Sequence, residues 1–227
     1  MKQFIFLTSL LLLFFLSVDV TRAQNANHNF DRWEKDITAF EQADKTQPPP
    51  TNGIEFIGSS TIQRWKTLEK DFPGVPVFNR GFGGSEIVDS THFAARIIIP
   101  YAPRMVVLRC GGNDLWGGKT PEQVFADFKE FTATVHAQLP KTVVVYLSLS
   151  PSISRWKQHE KEKELNRLVK GFIDKTPATQ YLESYDIALG PNGEARPELF
   201  VADQLHFNEE GYKLLIQRVK PLVEATR

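Results

Sequence analysis

Residues 105–114 have the sequence MVVLRCGGND, and this stretch decides the fold. Its first four residues are apolar with no polar alternation, as in a strand that is buried on both of its faces. The glycines and the Asn-Asp pair that follow indicate a turn at the end of that strand. A strand covered on both faces predicts a parallel sheet with helices packed on either side.

Strand and helix signals alternate along the rest of the chain. Short apolar or β-branched runs predict strands, and apolar residues spaced three and four apart predict helices. The predicted strands are residues 54–57, 75–79, 105–108, 142–147 and 181–182. The predicted helices are residues 30–44, 62–72, one that begins at Pro121, 156–173, and 209–223 with Asn208 as its cap. The fold class is therefore α/β with a five-stranded parallel sheet, and ligands are expected beyond the carboxyl ends of its strands.

The first 23 residues differ in kind from the rest. Lys2 precedes an almost wholly apolar run over residues 4–18, and residues 21–23 form a small-x-small ending. This pattern predicts a secretory signal peptide over residues 1–23, cut near Ala23, and hence an exported bacterial protein, periplasmic or secreted. An uncleaved membrane anchor is the alternative. The apolar run is shorter than the ~20 residues of a spanning helix, so we expect no stable membrane insertion.

Composition narrows the classes of partner. The chain carries 27 basic and 27 acidic residues and a formal net charge of +0. A protein that binds a nucleic-acid backbone requires a basic face, so we expect no nucleic-acid partner.

Cys110 is the single cysteine, so no intramolecular disulfide can form. We expect Cys110 to be a buried residue at a strand end.

Two segments with catalytic potential follow the first two strands. The segment FIGSST, residues 56–61, follows a strand and opens a helix. At a helix N-terminus, unpaired backbone N–H groups favour negative charge, so Ser60 is a candidate nucleophile whose own N–H stabilises an oxyanion. A helix cap is the alternative, since serine is a preferred N-cap residue. The glycines of NRGFGGS, residues 79–85, either let a backbone N–H approach a substrate closely or form only a flexible turn.

Two further segments carry the remaining candidates. Asn113 offers amide donors after the buried strand, and an asparagine that donates to an oxyanion is a known catalytic device. A turn whose Asn and Asp bond to local backbone is the alternative. Asp203 is three residues before His206, so its carboxylate can reach the imidazole, fix the tautomer and leave Nε2 as a base. A capping aspartate beside a surface histidine, or a pair of metal ligands without a nearby third, are the alternatives.

Each of these four signals has a structural alternative when taken alone. Together, and in this order along an alternating α/β chain, they supply a nucleophile, a base, an orienting carboxylate and oxyanion donors. That set is what acyl transfer requires. The sequence therefore predicts nucleophilic catalysis by a serine.

At this point the chain resembles the SGNH, or GDSL-type, hydrolase superfamily over most of residues 54–215. The resemblance implies a flavodoxin-like three-layer α/β/α sandwich and a hydrolase domain over residues 53–227, after an N-terminal helix and proline-rich connector over residues 24–52. It implies no cofactor and no metal. The blocks that carry it are Gly58-Ser59-Ser60, Gly84, Gly112-Asn113-Asp114 and Asp203-x-x-His206.

The resemblance also implies a role for each matched residue. Ser60 is the implied nucleophile, His206 its base and Asp203 the partner of that base. The N–H groups of Ser60 and Gly84 and the Asn113 amide are the implied oxyanion donors. One departure is that Ser59 replaces the usual aspartate of the first block. This variant occurs in the branch with acetylhydrolases of the platelet-activating-factor type and sugar-ester esterases, and it leaves Ser59 as a second candidate nucleophile.

The implied activity is hydrolysis of carboxylic esters, with short acyl groups such as acetyl on carbohydrate or other small alcohols. A non-catalytic carbohydrate-binding module on the same fold, an acyltransferase and a phosphoesterase are the alternatives. The expected partner is a small-molecule or carbohydrate ester, and no pattern indicates an oligomeric state. Trp65, Trp116 and Trp156 are candidate surfaces for sugar rings, with core packing as the alternative. Arg155 is a candidate contact to a substrate oxygen, with a structural ion pair as the alternative.

Overall fold

The computed structural model describes residues 28–225. The predicted signal peptide, residues 1–23, therefore lies outside the described residues. The chain divides into two compact units, residues 1–32 and 33–227. In the described part of the first unit, the ring centroids of His28 and Phe30 are 4.7 Å apart. Within residues 28–225, no helix combines the length and the apolar character needed to cross a membrane.

A five-stranded, all-parallel sheet forms the centre of the second unit, in the order β2-β1-β3-β4-β5. The strands are β1 Ile54–Gly58, β2 Val77–Gly81, β3 Met105–Arg109, β4 Val143–Leu147 and β5 Thr179–Leu182. The apolar run identified in the sequence is the central strand β3, and all of its residues are buried. Gly58 pairs with both Gly81 and Arg109, so β1, β2 and β3 end at the same edge of the sheet.

Helices cover both faces of this sheet. The longer ones are α1 Glu34–Asp44, α7 Pro121–Gln138, α8 His159–Ile173 and α9 Glu209–Glu224. The short ones are α2 Ser60–Gln63, α3 Leu68–Asp71, α4 Ile87–His92, α5 Ala94–Ile97 and α6 Gly112–Trp116. Four 3-10 turns within the second unit are Ile99–Tyr101, Trp156–Gln158, Tyr185–Ala188 and Pro197–Leu199. The predicted caps are confirmed, since Pro121 begins α7 and Asn208 caps α9 through its side chain.

The core has two parts, one on each face. On one face, Val107 and Val145 of the sheet belong to the same buried cluster as Leu215 of α9. On the other face, the Phe128 ring of α7 packs edge-on against Tyr146 of β4, with centroids 5.1 Å apart. The result is a three-layer α/β/α arrangement. The predicted fold class is confirmed.

Residues 62–72, predicted as one helix, are instead divided between the end of α2 and the separate short helix α3. Trp65 lies between them, buried, and its indole N–H donates to Asp71 at 2.7 Å. The Asn79 amide donates to the carbonyl oxygens of Ile62 and Trp65 at 2.6 and 3.3 Å. These side-chain hydrogen bonds take carbonyls that a continuous helix would use, so the chain turns between the two segments.

The N-terminal helix α1 is held in place by ion pairs. Asp44, its last residue, accepts from the buried Arg80 at 2.7 Å. Arg96 pairs with Glu34 at 2.7 Å and with Glu41 at 2.8 Å. The boundary between residues 24–52 and 53–227 stays a prediction.

Candidate active site

Ser60 is the first residue of α2, and one residue, Ser59, separates it from the end of β1. Gly58 has φ +136°, and a Cβ on it would collide with the carbonyl oxygen of Arg109. Only glycine lets the chain leave β1 so close to β3. Ser59 is the N-cap residue of α2 and makes no side-chain capping bond. The helix-cap interpretation of Ser60 is therefore wrong, and its N–H has no acceptor among residues 28–225.

Asp203 and His206 lie in a tight turn before α9. Asp203 Oδ1 accepts from the backbone N–H groups of Leu205 and His206 at 2.9 and 3.0 Å. Its Oδ2 lies 2.7 Å from His206 Nδ1. Gln204 has φ +55°, a left-handed conformation that closes the turn. The His206 side chain, followed by these backbone donors, holds the pKa of Asp203 below its ordinary value.

His206 connects this turn to Ser60. The distance from His206 Nε2 to Ser60 Oγ is 2.9 Å. An ionised carboxylate can only accept a hydrogen bond, so His206 Nδ1 carries the proton and donates to Asp203. Nε2 is then the acceptor for the Ser60 hydroxyl. Among the described residues, Ser59 makes no hydrogen bond to His206, so the geometry selects Ser60 of the two serines.

Asn113 lies in the first turn of α6, beyond the end of β3. Its Nδ2 donates to the carbonyl oxygen of Ser85 at 2.9 Å, and its Oδ1 accepts from Arg155 Nη1 at 2.9 Å. Arginine can only donate and a carbonyl can only accept, so these contacts fix which way the amide faces. One N–H of Nδ2 stays available. The interpretation as a local Asn-Asp turn does not hold for Asn113, because Ser85 and Arg155 are both distant in sequence.

Gly84 completes the predicted set of donors. Its φ is +82°, in the region that favours glycine, and its N–H has no acceptor among residues 28–225. Ser60, Gly84, Asn113 and His206 line one cavity of about 320 Å³. The structure thus brings together in one place the four residues that the sequence predicts to act on substrate.

A smaller cavity of about 70 Å³ also reaches Ser60 and His206. Its walls include Arg109, Gln158 and Glu162, none of which was predicted from the sequence as a site residue. Burial raises the pKa of Glu162 to about 7 and lowers that of Arg109. The sequence contains one indication of a polar wall. Arg109 directly follows the four apolar residues 105–108 and so interrupts an otherwise buried strand pattern. Gln158 and Glu162 look like the solvated face of a charged helix.

Arg155 does not form the predicted structural ion pair among the described residues, and its predicted contact to a substrate oxygen stays a prediction. Besides Asn113, it contacts the carbonyl oxygen of Gly112 at 3.4 Å, and its guanidinium lies 5.2 Å from the centroid of the Trp116 ring. It makes no ion pair in the described part of the chain. The preceding residue, Ser154, donates its N–H to the Gln204 carbonyl at 3.0 Å. The loop that carries Arg155 is therefore joined to the turn that carries His206.

Asp114 anchors the loop around Asn113. It is fully buried and accepts from the Ile87 N–H at 3.2 Å, and Lys119 lies 3.4 Å away. Lys119 also pairs with Asp127 at 2.8 Å. Burial, only partly offset by Lys119, raises the pKa of Asp114 to about 7. Asp114 thus fastens α6 to the start of α4.

The other singled-out side chains divide between core and surface. Cys110 is buried, as predicted, and its burial raises the pKa of the thiol. Trp65 is 2% exposed and belongs to the core, whereas 56% of Trp116 is exposed. Residues 28–225 contain no group of three or more His, Cys, Asp or Glu side chains arranged to hold a metal ion.

A family model for the GDSL-like Lipase/Acylhydrolase family matches residues 53–214. Fold and family together define a carboxylic ester hydrolase. The chain belongs to the GDSL-like lipase/acylhydrolase family, within the SGNH superfamily. No curated protein matches the chain in sequence.

Solved structures share the fold at low sequence identity. A candidate platelet activating factor from Streptococcus pneumoniae aligns with TM-score 0.74 and 19% identity, covering 90% of this chain and 99% of that one. A GDSL-like lipase from Bacteroides thetaiotaomicron aligns with TM-score 0.69 and 19% identity, covering 88% and 98%. An acetylxylan esterase from Geobacillus stearothermophilus aligns with TM-score 0.63 and 13% identity, covering 77% and 96%. These likenesses support the fold.

Proposed function

We propose that the protein is a serine esterase that removes short acyl groups, acetyl above all, from carbohydrate or other small alcohols. Ser60 is the nucleophile, His206 the base and Asp203 the carboxylate that orients the base. The observation that carries this proposal is a chain of two hydrogen-bond contacts. Asp203 Oδ2 lies 2.7 Å from His206 Nδ1, and His206 Nε2 lies 2.9 Å from Ser60 Oγ.

The reaction has two steps. His206 Nε2 takes the proton of Ser60 as Oγ attacks the ester carbonyl, and Asp203 stabilises the imidazolium that forms. The N–H groups of Ser60 and Gly84 and the spare N–H of Asn113 stabilise the oxyanion. The alcohol leaves with the proton from His206, and an acyl-enzyme stays on Ser60. Water, activated by His206, then releases the acid.

Arg155 acts in this scheme through Asn113. By holding Oδ1 at 2.9 Å, it prevents the amide from turning its oxygen toward the developing negative charge. The oxyanion site is then set before substrate binds, so little reorganisation is needed during the reaction.

The size of the two cavities supports a short acyl group. The 70 Å³ cavity beside Ser60 has room for an acetyl-sized group, and Arg109, Gln158 and Glu162 contribute polar groups to its walls. The 320 Å³ cavity on the Gly84 side is large enough for the alcohol. The similarity in fold to an acetylxylan esterase agrees with this assignment.

The test is a matched pair of serine variants assayed with 4-nitrophenyl acetate. We expect Ser60→Ala to lower kcat by about 10⁴-fold or more, because no nucleophile remains. Ser59→Ala, one residue away, should keep most of the activity. Loss of activity in Ser59→Ala alone would move the nucleophile to Ser59. Full activity in both variants would mean that the protein is not a serine esterase.

We also propose that residues 1–23 are a signal peptide and that the mature protein is periplasmic or secreted. The charged start, the apolar run and the small-x-small ending near Ala23 support export. Sequencing the N-terminus of the protein recovered from the periplasm or the medium tests it. A mature chain that still begins at Met1 would contradict the proposal.

A further inference from the structure

A groove of about 440 Å³ runs between α1 and the segment that contains α2 and α3. We call it the α1 groove. Asp36, Ala39 and Phe40 line one wall, at spacings of three and four that place them on one face of α1. Gln63, Lys66 and Glu69 are among the residues of the opposite wall. The proposed catalytic residues do not line this groove.

Gln63 joins the α1 groove to the active site. It lines both the groove and the 320 Å³ cavity that contains Ser60 and Gly84. Its amide lies against the backbone of Gly83, where any Cβ would collide with Oε1. Within residues 28–225, this half-buried amide has no hydrogen-bond partner. A ligand that extends from Ser60 past Gly84 therefore meets Gln63 first and the α1 groove next.

The chemistry of the groove favours a neutral ligand with many hydroxyl groups. Two acidic residues, Asp36 and Glu69, and two basic ones, Lys66 and Lys70, line it, so their formal charges cancel. None of the four forms an ion pair in the described part of the chain, which leaves their polar atoms available for hydrogen bonds. A polyanion would meet two carboxylates, and an alkyl chain would strip water from charged groups without replacing their hydrogen bonds.

We infer that the α1 groove binds the alcohol portion of the substrate as an oligosaccharide chain, with the ester at Ser60 and the following sugar units past Gln63. This inference rests on the proposed esterase function and extends it, because it makes the substrate a chain rather than a single sugar. The acyl group lies in the small cavity, and the chain leaves on the Gly84 side. Helix α1, which precedes the family domain, then forms one wall of the binding site.

The test is to fill the groove from α1. Ala39 is exposed, so Ala39→Trp adds bulk to the groove without disturbing the core. Thr38→Trp is the matched control, because Thr38 is also exposed, lies on the same helix and does not line the groove. The substrates are 4-nitrophenyl acetate, xylose tetraacetate and acetylated xylotetraose. Thermal melting checks that both variants fold.

The wild-type protein should prefer acetylated xylotetraose over xylose tetraacetate. In Ala39→Trp, the ratio of kcat/KM for acetylated xylotetraose to that for 4-nitrophenyl acetate should fall about tenfold, mainly through KM. Thr38→Trp should leave this ratio unchanged. Lys66→Ala, on the opposite wall, should lower the ratio by a smaller factor.

Two outcomes would overturn the inference and leave the esterase intact. One is equal wild-type activity on the acetylated monosaccharide and tetrasaccharide. The other is an unchanged ratio in a folded Ala39→Trp. Failure of the wild-type protein to hydrolyse even 4-nitrophenyl acetate would instead contradict the proposed function itself.

Discussion

Asp203 and Asp114 both belong to the motifs of this active site, and their surroundings are opposite. Asp203 is exposed over 43% of its side chain, and hydrogen bonds from His206 and two backbone N–H groups lower its pKa. Asp114 is fully buried, and burial raises its pKa to about 7 despite a lysine nearby. One carboxylate stays charged at an exposed turn, and the other is difficult to charge inside the protein.

The difference shows that burial alone does not identify the carboxylate that we propose to be catalytic. A group that stabilises an imidazolium must be ionised, and hydrogen-bond donors achieve this for Asp203 without burial. Asp114 instead accepts from the Ile87 N–H and positions the loop of Asn113. We therefore propose a catalytic role for Asp203 and a structural role for Asp114.

The largest effect that would test this contrast comes from Asp203→Asn. The amide cannot stabilise the imidazolium and favours the wrong tautomer of His206, so kcat should fall about 10³–10⁴-fold. The Tm near neutral pH should fall modestly, because a carboxylate with a lowered pKa stabilises the folded state there, and the 43% exposure of the side chain weakens that stabilisation. Steady-state kinetics with 4-nitrophenyl acetate, alongside thermal melting, measures both. A variant with normal kcat would remove Asp203 from the mechanism.

Asn113→Ala sharpens the contrast, because Asn113 is the neighbour of Asp114 in sequence. Loss of one oxyanion donor should lower kcat by about 10²–10³-fold, with KM nearly constant. The spare N–H of Asn113 contributes mainly in the transition state, when the carbonyl oxygen of the ester becomes negatively charged. If KM rose while kcat stayed the same, Asn113 would be a binding residue only.

The smallest effect on turnover is expected for Asp114→Asn, whose kcat should fall far less than that of Asn113→Ala. The effect that distinguishes Asp114→Asn is a change in the pH dependence of the protein's stability. The pKa of Asp114 rises from 3.8 to about 7 on folding, so the folded state binds an extra proton between these values. This stabilisation is complete below pH 3.8 and is lost as the pH rises through about 7.

The asparagine variant lacks that titration. The Tm of Asp114→Asn relative to wild type should therefore increase as the pH goes from 5 to 8. Asp203→Asn serves as the control, because the lowered pKa of Asp203 confines the pH dependence of its own stabilisation to the acid range and leaves that stabilisation constant from pH 5 to 8. A parallel pH profile of Tm for Asp114→Asn and wild type would contradict the assignment.

The strands and the strand-end motifs could be predicted because local sequence determines them. Four apolar residues specify β3, and Gly58 with the serines that follow specifies a tight strand-to-helix turn. The break between α2 and α3 could not be predicted, because it depends on the amide of Asn79 in β2. The partner of Arg155 is Asn113, 42 residues earlier, and no local pattern records such a pairing. Long-range hydrogen bonds set both features.

The hydrogen bond from the Ser154 N–H to the Gln204 carbonyl has a consequence for motion. Gln204 belongs to the turn of His206, and Ser154 precedes the arginine that orients Asn113. The proposed base His206 and the proposed oxyanion donor Asn113, which come from distant parts of the chain, are thus connected through one hydrogen bond between their loops. Loosening of either loop should disorder both. The amide of Ser154 should therefore exchange with the same local opening free energy as the amides of the His206 turn. Exchange at Ser154 that is uncoupled from exchange at His206 would show that the two loops move independently.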